Sequence, residues 1–236
     1  MDARIAGVEL PGSDIRLMPA LPSDYDSDPE RWRSCDRNVQ VFGDVHSLVA
    51  RRIVDEDLAP VLDIGGGQGY LESLLPTGWP SIVVDLSPTQ IADAPHPKVR
   101  ADASLVPVRD RCAGAVAALW MLYHLDDPAR AVAEAARVLR PGGLFVASTA
   151  SRSNDPELTD GYPQTPFDAE EAPSIVATVF GEVRVERWDA PMTLLQDRDA
   201  VLRYCRSHSL HRHAADRVTP PVWLTKRGCV VYARKQ

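Results

Sequence analysis

The sequence predicts an α/β protein in which a mainly parallel β-sheet is covered by helices on both faces. Short apolar runs typical of buried strands alternate along the chain with segments of helical period. Four of the 14 glycines fall within positions 65–69, directly after one of these runs. The length of 236 residues suits one domain that buries a sizeable core. We therefore expect a single domain, with a ligand bound at the glycine-rich turn.

The first half of the chain is predicted to begin with an irregular arm and one amphipathic helix. Residues 1–30 have no sustained period, whereas apolar residues from 34 to 55 recur at three- and four-residue steps. This pattern predicts a helix over 34–55, which Gly43 could interrupt. A short helix is expected over 68–75, before Pro76. The strands predicted in this half are 60–64, 81–85, 99–102 and 115–122.

The second half continues the alternation of helices and strands. Asp127 is a good N-cap and Pro128 a good first helical residue, and the glycines after Pro141 are expected to end that helix. A polar loop follows Ser151, and Trp188 is interpreted as part of the core. The remaining predicted elements are strands over 144–148, 183–188 and 227–234 and helices over 168–180 and 197–207.

Composition excludes several classes of partner. The 33 acidic and 26 basic residues give a net charge of −7, which disfavours a nucleic acid. No run approaches the length of a membrane span, and the first residues do not resemble a signal peptide, so we expect a cytoplasmic protein without a membrane partner. The cysteines lack CxxC spacing and the histidines at 208, 211 and 213 follow no strong zinc pattern, so no metal is expected. We expect a monomer or a homodimer.

The glycine turn indicates the kind of ligand. Glycines at 65, 67 and 69 give GxGxG, whereas a dinucleotide site needs GxGxxG, and position 70 is Tyr. Asp63 precedes the turn, and its carboxylate would repel a pyrophosphate but suit a cationic ligand end. The spacing therefore favours S-adenosylmethionine over NAD.

Two more aspartates end the next predicted strands. Asp85 could accept both hydrogen bonds of a ribose diol, and Asp102 could accept from an adenine amino group, with Ala103 offering its backbone N–H. Each aspartate could instead cap the turn that follows it. Three successive strand ends that carry Asp favour a binding site.

These segments resemble the class I S-adenosylmethionine-dependent methyltransferases, in particular the bacterial small-molecule group that includes the ubiquinone/menaquinone-type enzymes. The segments that carry the resemblance are VLDIGGGQGY (61–70), VVDLSP (83–88), RADAS (100–104), ALWMLYHLDDP (118–128) and EAARVLRPGGLFVAS (134–148). The resemblance implies a Rossmann-like, seven-stranded, mainly parallel sheet whose last strand is antiparallel. The family usually has Phe-Asp before the fourth strand, where this chain has Ala113 and Gly114.

The resemblance also implies a cofactor site. Its residues would be Asp63, Gly65, Gly66, Gly67 and Gly69 at the methionine end, Asp85 at the ribose, Asp102 and Ala103 at the adenine, and in addition Leu86 and Trp120. It further implies three regions: an arm and helix over 1–57 that form a lid, a cofactor-binding core over 58–150, and a substrate-side loop with the final strands over 151–236.

Candidate acceptor-side residues come from three places in the sequence. Tyr123 and His124 follow the fourth predicted strand, and His124 could be a general base or could simply shape the pocket. The acidic arm contains Tyr25 and Trp32 as candidate substrate contacts and Arg33 as a candidate contact to the cofactor carboxylate, and it could equally be a solvated loop. Tyr162 is a further candidate for substrate binding.

We therefore expect methyl transfer from S-adenosylmethionine to nitrogen or oxygen of a small metabolite. The acidic arm suggests an amine-bearing acceptor, and the excess of Arg over Lys, together with the many alanines, suggests a GC-rich bacterial genome. We expect a role in bacterial secondary metabolism. The alternatives are an NAD-dependent oxidoreductase and a non-catalytic cofactor-binding regulatory protein.

Overall fold

The structure, a computed structural model, describes residues 39–41 and 44–236. The predicted site residues Tyr25, Trp32 and Arg33 lie outside the described residues. The strands are β1 (Val39–Val41), β2 (Val61–Ile64), β3 (Ser81–Asp85), β4 (Lys98–Arg100), β5 (Ala113–Leu119), β6 (Leu139–Ala150), β7 (Val183–Leu195) and β8 (Val222–Arg234). The α-helices are α1 (Val45–Asp55), α2 (Tyr70–Leu74), α3 (Pro88–Ile91), α4 (Pro128–Val138), α5 (Ala172–Phe180) and α6 (Arg198–Ser207).

One eight-stranded sheet has the strand order β1-β7-β8-β6-β5-β2-β3-β4. The pairs β2–β3, β2–β5, β3–β4 and β5–β6 are parallel. Strand β8 is antiparallel to both β6 and β7, so β7 runs in the same direction as β6. The predicted mainly parallel sheet with an antiparallel last strand is therefore confirmed, and all seven predicted strands are present.

The eighth strand, β1, corrects the prediction of one helix over 34–55. Val39–Val41 pair antiparallel with residues 193–195 of β7. Helix α1 begins only at Val45, after the N-cap Asp44, whose side chain accepts a hydrogen bond from the His46 backbone N–H at 3.0 Å. The helical spacing of the apolar residues was a local signal, and strand pairing with a distant part of the chain outweighs it around residue 40.

Helices cover both faces of the sheet, as predicted. On one face, apolar side chains of α4 and α5 pack on the sheet, and the rings of Phe145 and Phe180 stack with centroids 5.2 Å apart. On the other face, α1 and α2 pack on alternate residues of the same strands. The buried strands β2 and β5 are therefore apolar on both sides, which explains their uninterrupted apolar sequences.

The Ala113–Gly114 pair is accommodated by close packing at the start of β5. A Cβ atom on Gly114 would lie 2.6 Å from the carbonyl oxygens of Leu58 and Ala59. The Gly114 N–H donates to the Pro60 carbonyl at 2.8 Å. The connection into β2 therefore crosses β5 at a distance that excludes any side chain at position 114.

Strands β7 and β8 extend further than predicted. The last residue of β6, Ala150, pairs with Gly228, but the β7–β8 ladder continues from there to the pair Leu195–Val222. This projecting hairpin, residues 189–227, has a small core of its own with α6 and the loop after β6. None of the described helices is long and apolar enough to span a bilayer.

Asp155 joins the parts of the projecting hairpin. Its carboxylate is fully buried and pairs with the Lys226 ammonium at 2.8 Å. It also accepts hydrogen bonds from the hydroxyl groups of Tyr162, at 2.7 Å, and Tyr204, at 2.9 Å. The loop after β6, helix α6 and strand β8 are thus connected through one buried charge.

Candidate cofactor site

A cavity of about 640 Å³ opens at the carboxyl ends of β2, β3 and β5. Parallel strands place their carboxyl ends at one edge of a sheet, which is where ligands of open α/β sheets bind. The predicted site residues that line the cavity are Gly65, Gly66, Gly67, Asp85, Leu86, Asp102, Ala103, Trp120 and His124. Residues separated by up to 59 positions in the sequence are thus brought to one space.

The turn after β2 forms one wall with backbone alone. Gly67 has φ +54°, a left-handed conformation that disfavours other residues. A Cβ atom on Gly66 would lie 2.3 Å from Asp63 Oδ2, so position 66 has no room for a side chain. A ligand can therefore approach the backbone of the turn closely.

Asp85 holds the turn against the end of β3. Its Oδ2 accepts a hydrogen bond from the Gly67 N–H at 3.0 Å, and its Oδ1 accepts one from the Ser87 N–H at 2.8 Å. A carboxylate has about four acceptor positions, more than these two bonds occupy. The carboxylate is held in one orientation, at the position expected for a ribose contact.

Asp102 caps the turn that follows it and also lines the cavity. Its Oδ1 accepts from the Ser104 N–H at 2.7 Å and from the Ser104 hydroxyl at 2.8 Å, so it caps the following turn. The residue also lines the cavity beside Ala103. Capping and ligand binding are therefore compatible, because the first fixes the carboxylate that the second would use.

Asp63 and Gly69 are not among the residues that line the cavity. The Asp63 side chain is only 3% exposed and packs behind Gly66. Burial raises the pKa of Asp63 well above its usual range, and the neighbouring Glu72 carboxyl raises it further. Asp63 therefore lies one layer behind the cavity wall.

Trp120, which lines the cavity, contacts Trp188, which lines a second cavity. Trp120 has φ +59°, a strained conformation for a bulky residue, at the point where β5 ends. Its ring contacts the Trp188 ring edge to face, with centroids 5.9 Å apart. The second cavity, of about 260 Å³, is lined by Ser151, Ala169, Arg187, Trp188, Asp189, Arg227 and Gly228. Trp188 is thus half-buried between the core and this edge of the sheet.

The three remaining candidates, His124, Tyr123 and Tyr162, lie in different parts of the structure. His124 ends a 3₁₀ turn, Leu122–His124, and lines the main cavity. Tyr123 packs instead against the core beneath α4 and α5, and its ring lies 4.4 Å from that of His124. Tyr162 is bonded to Asp155 in the projecting hairpin and lines neither cavity.

The prediction from sequence missed His46, Gln68 and Tyr70, which also line the cavity. The rings of His46 and Tyr70 meet at 4.9 Å, and the Tyr70 hydroxyl donates to Asp44 at 3.0 Å. Burial lowers the pKa of His46, and Asp44 offsets only part of this effect. The N-cap signal of Asp44 could have placed His46 at the start of a helix, but not beside the glycine turn.

The chemistry of these residues fits S-adenosylmethionine. The backbone of the glycine turn lines the cavity without side chains of its own, and two fixed carboxylates suit the hydroxyl and amino donors of an adenosine. When bound, the cofactor would supply an electrophilic methyl group on a cationic sulfur.

Comparison with known proteins finds methyltransferases. Residues 62–147 match the family described as Methyltransferase domain. A malonyl-[acyl-carrier protein] O-methyltransferase of Hahella chejuensis is 37% identical over 99 residues, 38% of this chain and 36% of that protein. A ubiquinone biosynthesis O-methyltransferase of Xanthomonas oryzae is 34% identical over 106 residues, 40% of this chain and 44% of that protein. The matches thus span less than half of the length of these curated relatives.

Solved structures share the fold. The [4+2]-cyclase SpnF has a TM-score of 0.61 at 17% identity, covering 90% of this chain and 94% of its own. A possible histamine N-methyltransferase of Thermotoga maritima has a TM-score of 0.55 at 18% identity, covering 91% and 99%. The motifs, the sheet order and the match of residues 62–147 all agree with a class I S-adenosylmethionine-dependent methyltransferase domain, the family whose cofactor is S-adenosylmethionine.

Proposed function

We propose that the chain transfers the methyl group of S-adenosylmethionine to nitrogen or oxygen of a small metabolite, in bacterial secondary metabolism. One observation carries the proposal: a single cavity is lined by the cofactor-type residues Gly67, Asp85 and Asp102 and also by His124. Methyl transfer is an in-line displacement, so donor and acceptor must be held together in one space. The curated relatives named as O-methyltransferases make oxygen a candidate acceptor atom as well as nitrogen.

His124 is proposed to accept a proton from the acceptor. An ordinary imidazole titrates near neutral pH, so it can take the proton of a hydroxyl or ammonium group as the methyl group arrives. Its place at the end of the turn after β5 puts it in the cavity next to Trp120. The other role considered for His124, shaping the pocket, needs no proton transfer and is separated by the experiment below.

The charge of the cavity supports an amine-bearing acceptor. Four aspartates, at positions 85, 102, 126 and 127, line the cavity. Among the described lining residues, Arg130 is the one with a permanent positive charge. Asp126 and Asp127 are exposed and stand apart from the two carboxylates assigned to the cofactor. An excess of negative charge in a cleft raises the local concentration of cations. A cationic amine would also suit the faces of the two tryptophans.

The test is calorimetry followed by turnover. The purified chain is titrated with S-adenosylhomocysteine and with NAD, and then assayed with S-adenosylmethionine against a panel of amines and phenols. Binding of NAD alone would support the oxidoreductase alternative. Binding of S-adenosylhomocysteine without turnover of any acceptor would support the non-catalytic alternative.

Substitution of His124 by Gln then tests the base. We expect kcat to fall by about 10²–10⁴-fold while the Kd for S-adenosylhomocysteine changes little. His96→Gln is the matched control, because His96 is exposed and does not line the cavity. An unchanged kcat in H124Q would leave His124 with the pocket-shaping role only.

A further inference from the structure

Two buried carboxyl groups lie together behind the glycine turn. Asp63 is the third residue of β2, with 3% of its surface exposed, and Glu72 is in the helix that follows the turn. The two carboxyl groups lie close enough for each to act on the pKa of the other. Both Glu72 oxygens are shielded from solvent, and neither has a hydrogen-bond donor among the described residues. Glu72 Oε2 would lie 3.4 Å from a Cβ atom on Gly69, so the pair fills the space directly beneath the turn.

An ionised carboxylate only accepts hydrogen bonds, so two adjacent carboxylates can neither bond to each other nor escape mutual repulsion. One added proton removes both problems, because a protonated carboxyl donates to its ionised neighbour. The other charged group that acts on Asp63 is Asp85, which is also acidic and adds to the repulsion. We propose that Asp63 and Glu72 share one proton in the cofactor-free chain, and that cofactor binding at the turn releases this proton to solvent.

The release follows from the charge of the cofactor. Its amino-acid end carries an ammonium group, and S-adenosylmethionine carries a sulfonium as well. Gly66 lines the cavity in front of the turn and packs directly against the Asp63 carboxyl behind it. Positive charge at that place stabilises the doubly ionised pair, so its proton is lost to the buffer as the ligand binds. Glu72 is in this sense a positioning residue, which acts on the cofactor through Asp63.

Other titratable groups face the same space and must be distinguished from the pair. His46, from α1, lines the cavity in front of the turn, and His124, Asp126 and Asp127 line it from the side of β5. Burial lowers the pKa of His46, which makes it a weak source of protons at neutral pH. A variant of Glu72 separates the pair from all of these groups, because it leaves the cavity lining unchanged.

The experiment is calorimetric titration with S-adenosylhomocysteine in two buffers of different ionisation enthalpy, at several pH values between about 5 and 9. The difference between the buffers gives the number of protons released. We expect a release that peaks within this range and an affinity that rises with pH, approaching about tenfold per pH unit where a full proton is released. In Glu72→Gln the amide donates to Asp63 and keeps it ionised, so the release peak should disappear.

Two further variants make the result specific. Glu182→Gln makes the same chemical change at an exposed site and should keep the release peak. His46→Gln should also keep it; if this variant abolishes the peak, the proton comes from His46 and the proposal is wrong. No release in the wild-type chain, or equal release in wild type and E72Q, would also overturn it.

Infrared spectroscopy of the wild-type chain gives an answer that does not depend on the folding of E72Q. A protonated carboxyl has a C=O stretch that a carboxylate lacks, so S-adenosylhomocysteine should remove such a band, and an unchanged spectrum would contradict the proposal. Neither measurement uses a methyl acceptor. A failure here is therefore distinct from a wrong acceptor class, and observed binding of S-adenosylhomocysteine would still support the cofactor site.

Discussion

Replacing Asp85 by Asn tests whether the end of β3 binds the ribose. In the cofactor-free chain Oδ2 of the carboxylate accepts a hydrogen bond from the Gly67 N–H, and Oδ1 accepts one from the Ser87 N–H. An amide has one oxygen, so its NH₂ group must face one of these two donors. The substitution preserves the size of the side chain while it leaves one backbone N–H without an acceptor.

The magnitude follows from these two contacts. A donor left unsatisfied costs about 1–3 kcal/mol, which should appear as a lower free energy of unfolding of the cofactor-free chain. Loss of the charged acceptor for the ribose diol removes about 1.5–3 kcal/mol of binding free energy. At about 1.4 kcal/mol per factor of ten, the Kd for S-adenosylhomocysteine should rise by about 10- to 100-fold.

The two effects are measured separately, by urea denaturation without ligand and by calorimetry with S-adenosylhomocysteine. Asp93→Asn is the control, because Asp93 is exposed just after α3 and does not line the cavity. A Kd in D85N within about twofold of the wild-type value would refute a ribose contact at Asp85. A lower stability with an unchanged Kd would show that Asp85 only supports the turn.

Three more predictions concern packing and buried charge. Gly66→Ala would place a Cβ atom 2.3 Å from Asp63 Oδ2. We therefore expect the free energy of unfolding, measured by urea denaturation, to fall by about 1–3 kcal/mol and S-adenosylhomocysteine to bind more weakly. A variant as stable as the wild type would contradict the tight packing. Lys226→Met leaves the Asp155 carboxylate buried without its cation and should lower the free energy of unfolding by about 3–5 kcal/mol. Adding Asp155→Asn to this variant should restore part of that loss, and urea denaturation of the double variant measures how much. The raised pKa of Asp63 means that the folded chain binds more protons than the unfolded chain above the ordinary pKa of Asp, so stability should fall as pH rises through the raised value. Urea midpoints across this range should fall less steeply in Glu72→Gln, and parallel slopes would contradict the shared proton.

Much of the cofactor side could be predicted from sequence, because its signals are local. Each of the aspartates 63, 85 and 102 lies at or near the carboxyl end of a short strand, and parallel pairing brings those ends together. Glycines clustered between a strand and a helix identify the turn. Nothing in that local pattern tells which side of the turn a carboxyl group faces, so the placement of Asp63 behind Gly66 needed the structure.

The acceptor side was harder to predict, because it depends on contacts between distant parts of the chain. The contact of Trp188 with Trp120 joins β7 to the end of β5, two strands that are not neighbours in the sheet. The helical pattern around residue 40 concealed the pairing of β1 with β7. Tyr162 was a reasonable candidate as an aromatic residue in a polar loop. Its hydroxyl instead bonds to Asp155, a contact that no sequence spacing indicates.

The projecting hairpin also has a consequence for how the protein opens. Its apolar residues form a cluster separate from the two that cover the sheet, so hairpin and cofactor-binding sheet need not lose structure together. Segments with separate cores exchange amide hydrogens as separate cooperative units. Amides of α6 and the outer parts of β7 and β8 should therefore exchange faster than those of β2 and β5. S-adenosylhomocysteine should slow exchange in the sheet more than in the hairpin, leaving the hairpin free to adjust to an acceptor after the cofactor is bound.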